Sequence, residues 1–252
     1  MLTRFLPIFI ILALIAEILG TVGGFGSSVF FVPIANYFLD FQSVLGLTAL
    51  FHLSSNMSKI AFFKKGFDKQ LAMNLGIPAI IFVSIGAFLS KSVNPEILVF
   101  FLGGFLIVLS LIFLIYRALY IKPNRENAII GGSLSGLIAG LLGTGGAIRG
   151  ITMAAFKLSK EKFIATSAII DLGIDLSRSI IYFFNGYIHR QHLYLLPILI
   201  VISVVGTYFG KLILNKMSTL QFSRFVLFLI LIIGIATIVN ELIKINLLLI
   251  CL

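Results

Sequence analysis

Residues 19–28 read Leu19-Gly20-Thr21-Val22-Gly23-Gly24-Phe25-Gly26-Ser27-Ser28, and about 120 residues later the chain returns to Leu142-Gly143-Thr144-Gly145-Gly146. Each glycine run interrupts an apolar stretch, 6–19 before 29–39 and 128–142 before 147–156. Glycine adopts φ > 0 freely and lets backbone approach closely, so each run predicts a helix that stops at membrane depth and a short helix that starts there. With arms of 10–15 residues at about 1.5 Å each, neither arm is expected to cross a hydrocarbon core of about 30 Å. The two arms then form either one broken crossing or a hairpin that enters and leaves on one side.

Around these runs the chain is strongly apolar. Of 252 residues 60% are hydrophobic and 11% charged, with mean hydropathy +1.15; soluble domains carry about 25% charged residues. Stretches 71–90, 97–116, 193–214 and 222–243 are long enough to span a bilayer, and 43–63 and 161–183 qualify with polar interruptions. The reading is an all-α polytopic membrane protein. The N-terminal apolar run lacks an A-x-A-like cleavage site and is read as a retained first segment. The net charge of +10 is read as loop charge facing anionic lipid, not as a nucleic-acid surface. The single cysteine, Cys251, excludes an internal disulfide or a cysteine metal cluster, and His52, His189 and His192 form no HExxH pattern. No cofactor or metal site is read.

The recurrence extends along the chain. Asn56-Met57-Ser58-Lys59 aligns with Asp175-Leu176-Ser177-Arg178, Gly66 with Gly186, Pro78 with Pro197, Gly86 with Gly206 and Lys91 with Lys211. The chain divides into a repeat over 1–126 and a second over 127–252. Loop charge decides between hairpin and broken crossing. A hairpin puts four bases on one side (Arg4, Lys91, Arg190, Lys244) and twelve on the other: Lys64, Lys65, Lys69, Arg117, Lys122, Arg125, Lys157, Lys160, Lys162, Lys211, Lys216 and Arg224. A broken crossing splits the same residues 9 against 7. The positive-inside rule selects the hairpin. Each repeat then has three spans plus a hairpin, the repeats are inverted, and both termini lie outside the cytoplasm.

Six charged residues lie at membrane depth, away from loops and helix ends: Lys59, Arg149 and Arg178, and Glu17, Asp171 and Asp175. Such groups cost about 2.5–3.5 kcal/mol each even on translocon scales and point to function. The alternative is a set of ion pairs that only orient helices. His52, Asn56 and Lys59 share one helix face, Asp171, Asp175 and Arg178 share its counterpart, and Thr48 and Ser167 extend the faces. In inverted-repeat transporters such faces meet at the substrate site. Lys59 and Arg178 are expected to attract an anion, Asp175 to pair with Arg178, and Asp171 or Glu17 to carry a coupling proton. Backbone N–H groups at Gly23, Gly24, Gly26, Ser27, Gly145 and Gly146 are expected to add a main-chain anion site. Gly132-xxx-Gly136 and Gly206-xxx-Gly210 are read as packing glycines.

The segments 20–26 and 140–146, each followed some 20 residues later by a small-residue helix (Leu47-Thr48-Ala49-Leu50, Ala165-Thr166-Ser167-Ala168), resemble the sulfite exporter TauE/SafE family over roughly residues 10–240. The resemblance implies a secondary transporter, an exporter, of sulfite-like or organosulfonate anions in the bacterial cytoplasmic membrane. One departure is that the second repeat lacks a proline matching Pro33, with Thr152-Met153 in that region. A cation or metal carrier using Glu17, Asp171, Asp175 and His52 is the competing reading. An intramembrane enzyme lacks any nucleophile elbow or cysteine pair, and a scaffold has no need of two mirrored polar faces.

Overall fold

The computed structural model describes residues 2–24, 26–64, 66–115, 121–216 and 219–250, without the side chains of 2–4, 219–226 and 245–250. Phe25, Lys65, Arg117 and Cys251, and the side chains of Arg4 and Arg224, lie outside the described residues. The described residues form ten α-helices and no strand: α1 (Leu2–Gly23), α2 (Ser28–Ala35), α3 (Phe41–Phe62), α4 (Lys69–Leu89), α5 (Pro95–Ile115), α6 (Arg125–Leu142), α7 (Gly146–Ala154), α8 (Lys160–Phe184), α9 (Leu195–Lys216) and α10 (Thr219–Ile250). Five of them, α1, α4, α5, α9 and α10, are long and apolar enough to cross a membrane. The polar faces of α3 and α8 lower their hydropathy.

One expectation is corrected. The first arm does not stop at residue 19: α1 runs through Gly23, about 33 Å at 1.5 Å per residue, which is long enough by itself to cross a bilayer. Gly20 stays helical because it is a contact residue, where a Cβ would land on the Ser27 backbone. The break begins only at Gly24, which has φ 70°, and continues through Gly26, which has φ 81°.

After that break the chain folds back along α1. The Phe9 ring lies 5.9 Å from Phe31 and 5.6 Å from Phe38, which brings the end of α2 level with the start of α1. A broken single crossing would leave Phe9 and Phe38 at opposite ends. In the second half, a Cβ on Gly131 would meet the Thr152 side chain, and the Ser135 hydroxyl donates to the Gly145 carbonyl at 2.9 Å. So α7 likewise returns along α6. Both glycine runs make hairpins.

The halves interlock. Helix α4 packs on α6 and α1 on α9; α3 packs on α8 and α5 on α10; α4 touches α8 as α3 touches α9. Exchanging the halves maps this set of pairs onto itself. The α4–α6 seam is close because Gly132 and Gly136 lie against the main chain of Leu75 and Ala79, the small-residue contact by which helices approach in lipid. Gly206 and Gly210 do more than pack helix on helix: Gly206 makes room for the Glu17 side chain, and Gly210 for Thr21.

Two polar ends result. At one, the Lys211 ammonium donates to the Phe62 carbonyl at 2.7 Å, and Asp68 meets Lys162 at 3.4 Å. Asp68 also caps α4, accepting from the Leu71 amide at 3.0 Å; that bond holds its carboxyl below the usual range. At the other end Asn185 donates to the Ala87 carbonyl at 2.9 Å, and Ser43 bonds His189 at 2.8 Å. Lys69, Lys160, Lys162, Lys211 and Lys216 gather at the first end, and Lys91 and Arg190 at the second.

Candidate functional site

The six intramembrane ionisable residues converge into three ion pairs. Glu17, fully buried on α1, meets Lys59 of α3 at 3.1 Å. Its carboxylate also accepts from Ser27 at 2.5 Å, Ser55 at 2.6 Å, Thr207 at 3.1 Å and Thr21 at 3.3 Å. Lys59 donates a second bond to Ser55 at 2.7 Å. His52 reaches the same cluster through Ser27, Nε2 to Oγ at 3.0 Å. This cluster ties α1, the start of α2, α3 and α9 together.

On the other side, Arg149 of α7 forks onto Asp171 of α8, with one arm at 2.5 Å, and its Nε donates to Ser167 at 3.2 Å. Arg178 pairs with Asp175 at 2.6 Å and donates to the Gly143 carbonyl at 2.8 Å. Asp175 also accepts from Asn56 at 2.6 Å. Asn56 and Asp175 hold matching places in the motif that recurs along the sequence, and they touch.

Between the clusters lies a small cavity bordered by Gly20, Thr21, Gly24, Gly26, Lys59, Ile164, Ser167, Ala168 and Asp171. Its volume for water centres is about 10 Å³, enough for about one water. The Arg149 guanidinium approaches it from above Gly26, where a Cβ would lie 3.9 Å from Nη2. The Phe163 ring covers Gly24, where a Cβ would come within 2.9 Å of Cε1. Asp171 is the more open acid, with 16% of its side chain exposed against none for Glu17.

The residues singled out in the sequence fall into three groups. Gly24, Gly26, Lys59, Ser167 and Asp171 border the cavity, and Arg149 stands beside it. Glu17, Ser27, His52, Asn56, Asp175 and Arg178 form the surrounding hydrogen-bonded shell. Gly23, Thr48, Gly145 and Gly146 lie elsewhere. Gly23 ends α1, the Thr48 hydroxyl donates to its own helix at Val44, and Gly145 packs on the Ser135 carbonyl at the start of α7, where Gly146 comes next. Sequence reading missed Ser55 and Thr207 on Glu17, and Gly20 and Thr21 at the cavity wall. The Leu-Gly-Thr triplet that recurs in both halves was the available signal for the last two.

The halves differ at one telling place. Thr144 aligns with Thr21, and its hydroxyl is the one buried side-chain polar atom without a partner among the described residues. Thr21 has Glu17 one turn before it; Thr144 has Gly140. Gly140 instead lets α6 close onto the α4 backbone at Val83 and Ala87. One half holds a carboxylate where the other holds a tight helix contact.

Removing Glu17 alone strands the Lys59 charge. We expect Glu17→Gln to cost about 3–5 kcal/mol, the usual loss on breaking a buried pair. Glu17→Gln with Lys59→Met is expected to recover most of it. Thermal unfolding in detergent reads both. An unchanged melting temperature for Glu17→Gln would show that Lys59 finds another counter-charge.

A sequence model of the family described as Sulfite exporter TauE/SafE matches residues 9–237. No curated protein and no solved structure matches. The family match covers nearly all of the helical bundle, including both glycine hairpins and all six buried charges. The chain belongs to the sulfite exporter TauE/SafE family, whose members are membrane transporters rather than enzymes.

Proposed function

We propose that the chain is a secondary transporter, an exporter, of small sulfur-containing or organic anions of the sulfite and organosulfonate type. It works by alternating access around the cavity between the two repeats. The observation that carries this reading is a small cavity among the buried charges, walled by Lys59, by the φ > 0 glycines Gly24 and Gly26 and by Ser167, with Arg149 at its edge. Cations, a hydroxyl and exposed main chain are the groups that hold an oxyanion. A cation carrier is less well supported, because Glu17, Asp171 and Asp175 each already face a Lys or Arg.

Charge balance suggests the coupling step. Three bases and three acids leave the empty site neutral. An arriving monoanion adds one negative charge in a low-dielectric setting, where an uncompensated ion costs several kcal/mol. Asp171 borders the cavity and holds Arg149. If the anion takes over Arg149, Asp171 is released and takes up a proton, and the loaded site stays neutral. Anion and proton then move together, and with the anion accumulated in the cytoplasm net flux is outward. The present cavity has room for about one water, so loading requires the α3 and α8 faces to separate. Phe163 over Gly24 is the group that has to move at the lysine-rich end.

We further propose that the repeats are inverted in the bacterial cytoplasmic membrane, with the end bearing Lys69, Lys160, Lys162, Lys211 and Lys216 in the cytoplasm and both termini outside. This rests on the charge difference between the two ends of the bundle and on the hairpins, which leave an odd number of crossings per repeat.

Two measurements test these proposals. A reporter fused after residue 252 is expected to be active only outside the cytoplasm; activity inside would overturn the topology. In proteoliposomes buffered acidic enough that sulfite is present as the monoanion hydrogensulfite, wild-type flux is expected to be insensitive to an imposed membrane potential, because the loaded and empty sites are then both neutral. Asp171→Asn should make flux depend on potential, since Arg149 then returns unpaired. Wild-type flux as voltage-dependent as the variant's would refute proton coupling at Asp171, and the absence of any sulfite flux would refute the substrate class.

A further inference from the structure

A second concavity lies apart from the cavity between the ion-pair clusters. A groove of about 960 Å³ runs along the outside of the bundle between α5 on one side and α6 and α7 on the other, at the upper end of the roughly 300–1,000 Å³ typical of ligand pockets. Phe105, Val108, Ile130, Leu134 and Ile151 line it, and Gly104 opens it further: a Cβ there would meet nothing within 4 Å. Among the described residues Asn127 and Thr152 are the only polar side chains on its wall. The opposite half has no equivalent among the described residues, for α10 packs on α2, where Ile230 is fully buried.

The groove has one charged end. Its wall passes through Ile121 and Asn127, and between these stand Lys122 and Arg125, both exposed and without an ion pair among the described residues. Glu126 is the single acid of that stretch. The stretch is held in place: the Asn127 side chain donates to the Lys122 carbonyl at 2.9 Å, and the Asn127 amide donates to the Asn124 side chain at 2.9 Å. An apolar slot that ends beside two exposed bases matches an acyl chain joined to a negative headgroup.

We propose that this groove is a binding site for an anionic glycerophospholipid, its acyl chains along α5 and α6 and its phosphate between Lys122 and Arg125. Lipid tails are as apolar as the groove wall and gain little by entering it, so the selectivity comes from the two bases. A second copy of the chain suits the site less well, because it would bring its own lysine-rich end against Lys122 and Arg125.

The test is native mass spectrometry of the purified protein given equimolar phosphatidylglycerol and phosphatidylcholine. Wild type is expected to retain phosphatidylglycerol in roughly tenfold excess. Lys122→Gln with Arg125→Gln lies at the surface, leaves the bundle intact and should make the two lipids equal. Gly104→Phe, which fills open space, should lose both. Equal retention of the two lipids by wild type would overturn the proposal, as would a preference that survives in the double variant. A wild-type dimer that Gly104→Phe dissociates would also overturn it, since the occupant would then be a second copy. Sulfite flux plays no part in these readings, so the outcome stands apart from the transport proposal.

Discussion

Charge inside a bilayer has to be matched by charge, and the architecture of this protein depends on how that matching is done. Lys59 leans from α3 onto Glu17 of α1, Arg149 crosses from α7 to Asp171 of α8, and Arg178 stays on α8 with Asp175. Two of the three pairs therefore join separate helices. Asn56 joins the remaining pair to α3, so the central helices of both halves are tied across their own contact. A buried pair adds little net stability once desolvation is counted, but breaking one is expensive. The pairs therefore serve better as registers for helix position than as a source of stability, and a register built from separable charges can be opened by a competing ion.

The repeat explains much of the fold and its breach explains more. Exchange of the halves preserves the main helix pairs, yet the two seams are built differently. Along α1 and α9, Gly206 yields space to Glu17. Along α4 and α6, glycines at 132, 136 and 140 bring two backbones together and leave no side chain at the matching place. The orphaned Thr144 hydroxyl marks the carboxylate that this half lacks. One half has a polar cluster built on a carboxylate, and the other has a rigid close-packed seam. Arg149, from the short helix of the rigid half, reaches to the glycine break of the polar half. The cavity lies where the two designs meet.

Much of this was legible in the sequence. Hydropathy locates the spans, and the glycine runs locate the hairpin turns because Gly24 and Gly26 need φ > 0. The i, i+4, i+7 spacing picks out the polar faces of α3 and α8. The length of α1 was not legible: Gly20 and Gly23 look like breakers, but Gly20 is a contact residue that leaves the helix intact. Nor does spacing along one helix reveal partners on another. Lys59, expected from the sequence to attract an anion, has its partner in Glu17, 42 positions earlier in the sequence. Ser55 and Thr207 escape notice for the same reason, since ordinary hydroxyls become informative only when a carboxylate is known to face them.

On the proposed mechanism the Arg149–Asp171 pair handles the anion and does not merely hold α7 to α8. Replacing both partners by neutral isosteres, Arg149→Gln with Asp171→Asn, keeps the site uncharged and removes the group that an anion would take over. Sulfite flux in proteoliposomes containing this double variant is the most direct test. The account predicts a folded protein with near wild-type melting temperature and flux reduced by at least about tenfold, as expected when a charge-assisted contact worth about 1.5–3 kcal/mol is lost. Sulfite flux at the wild-type rate would contradict it and leave the pair a purely architectural role.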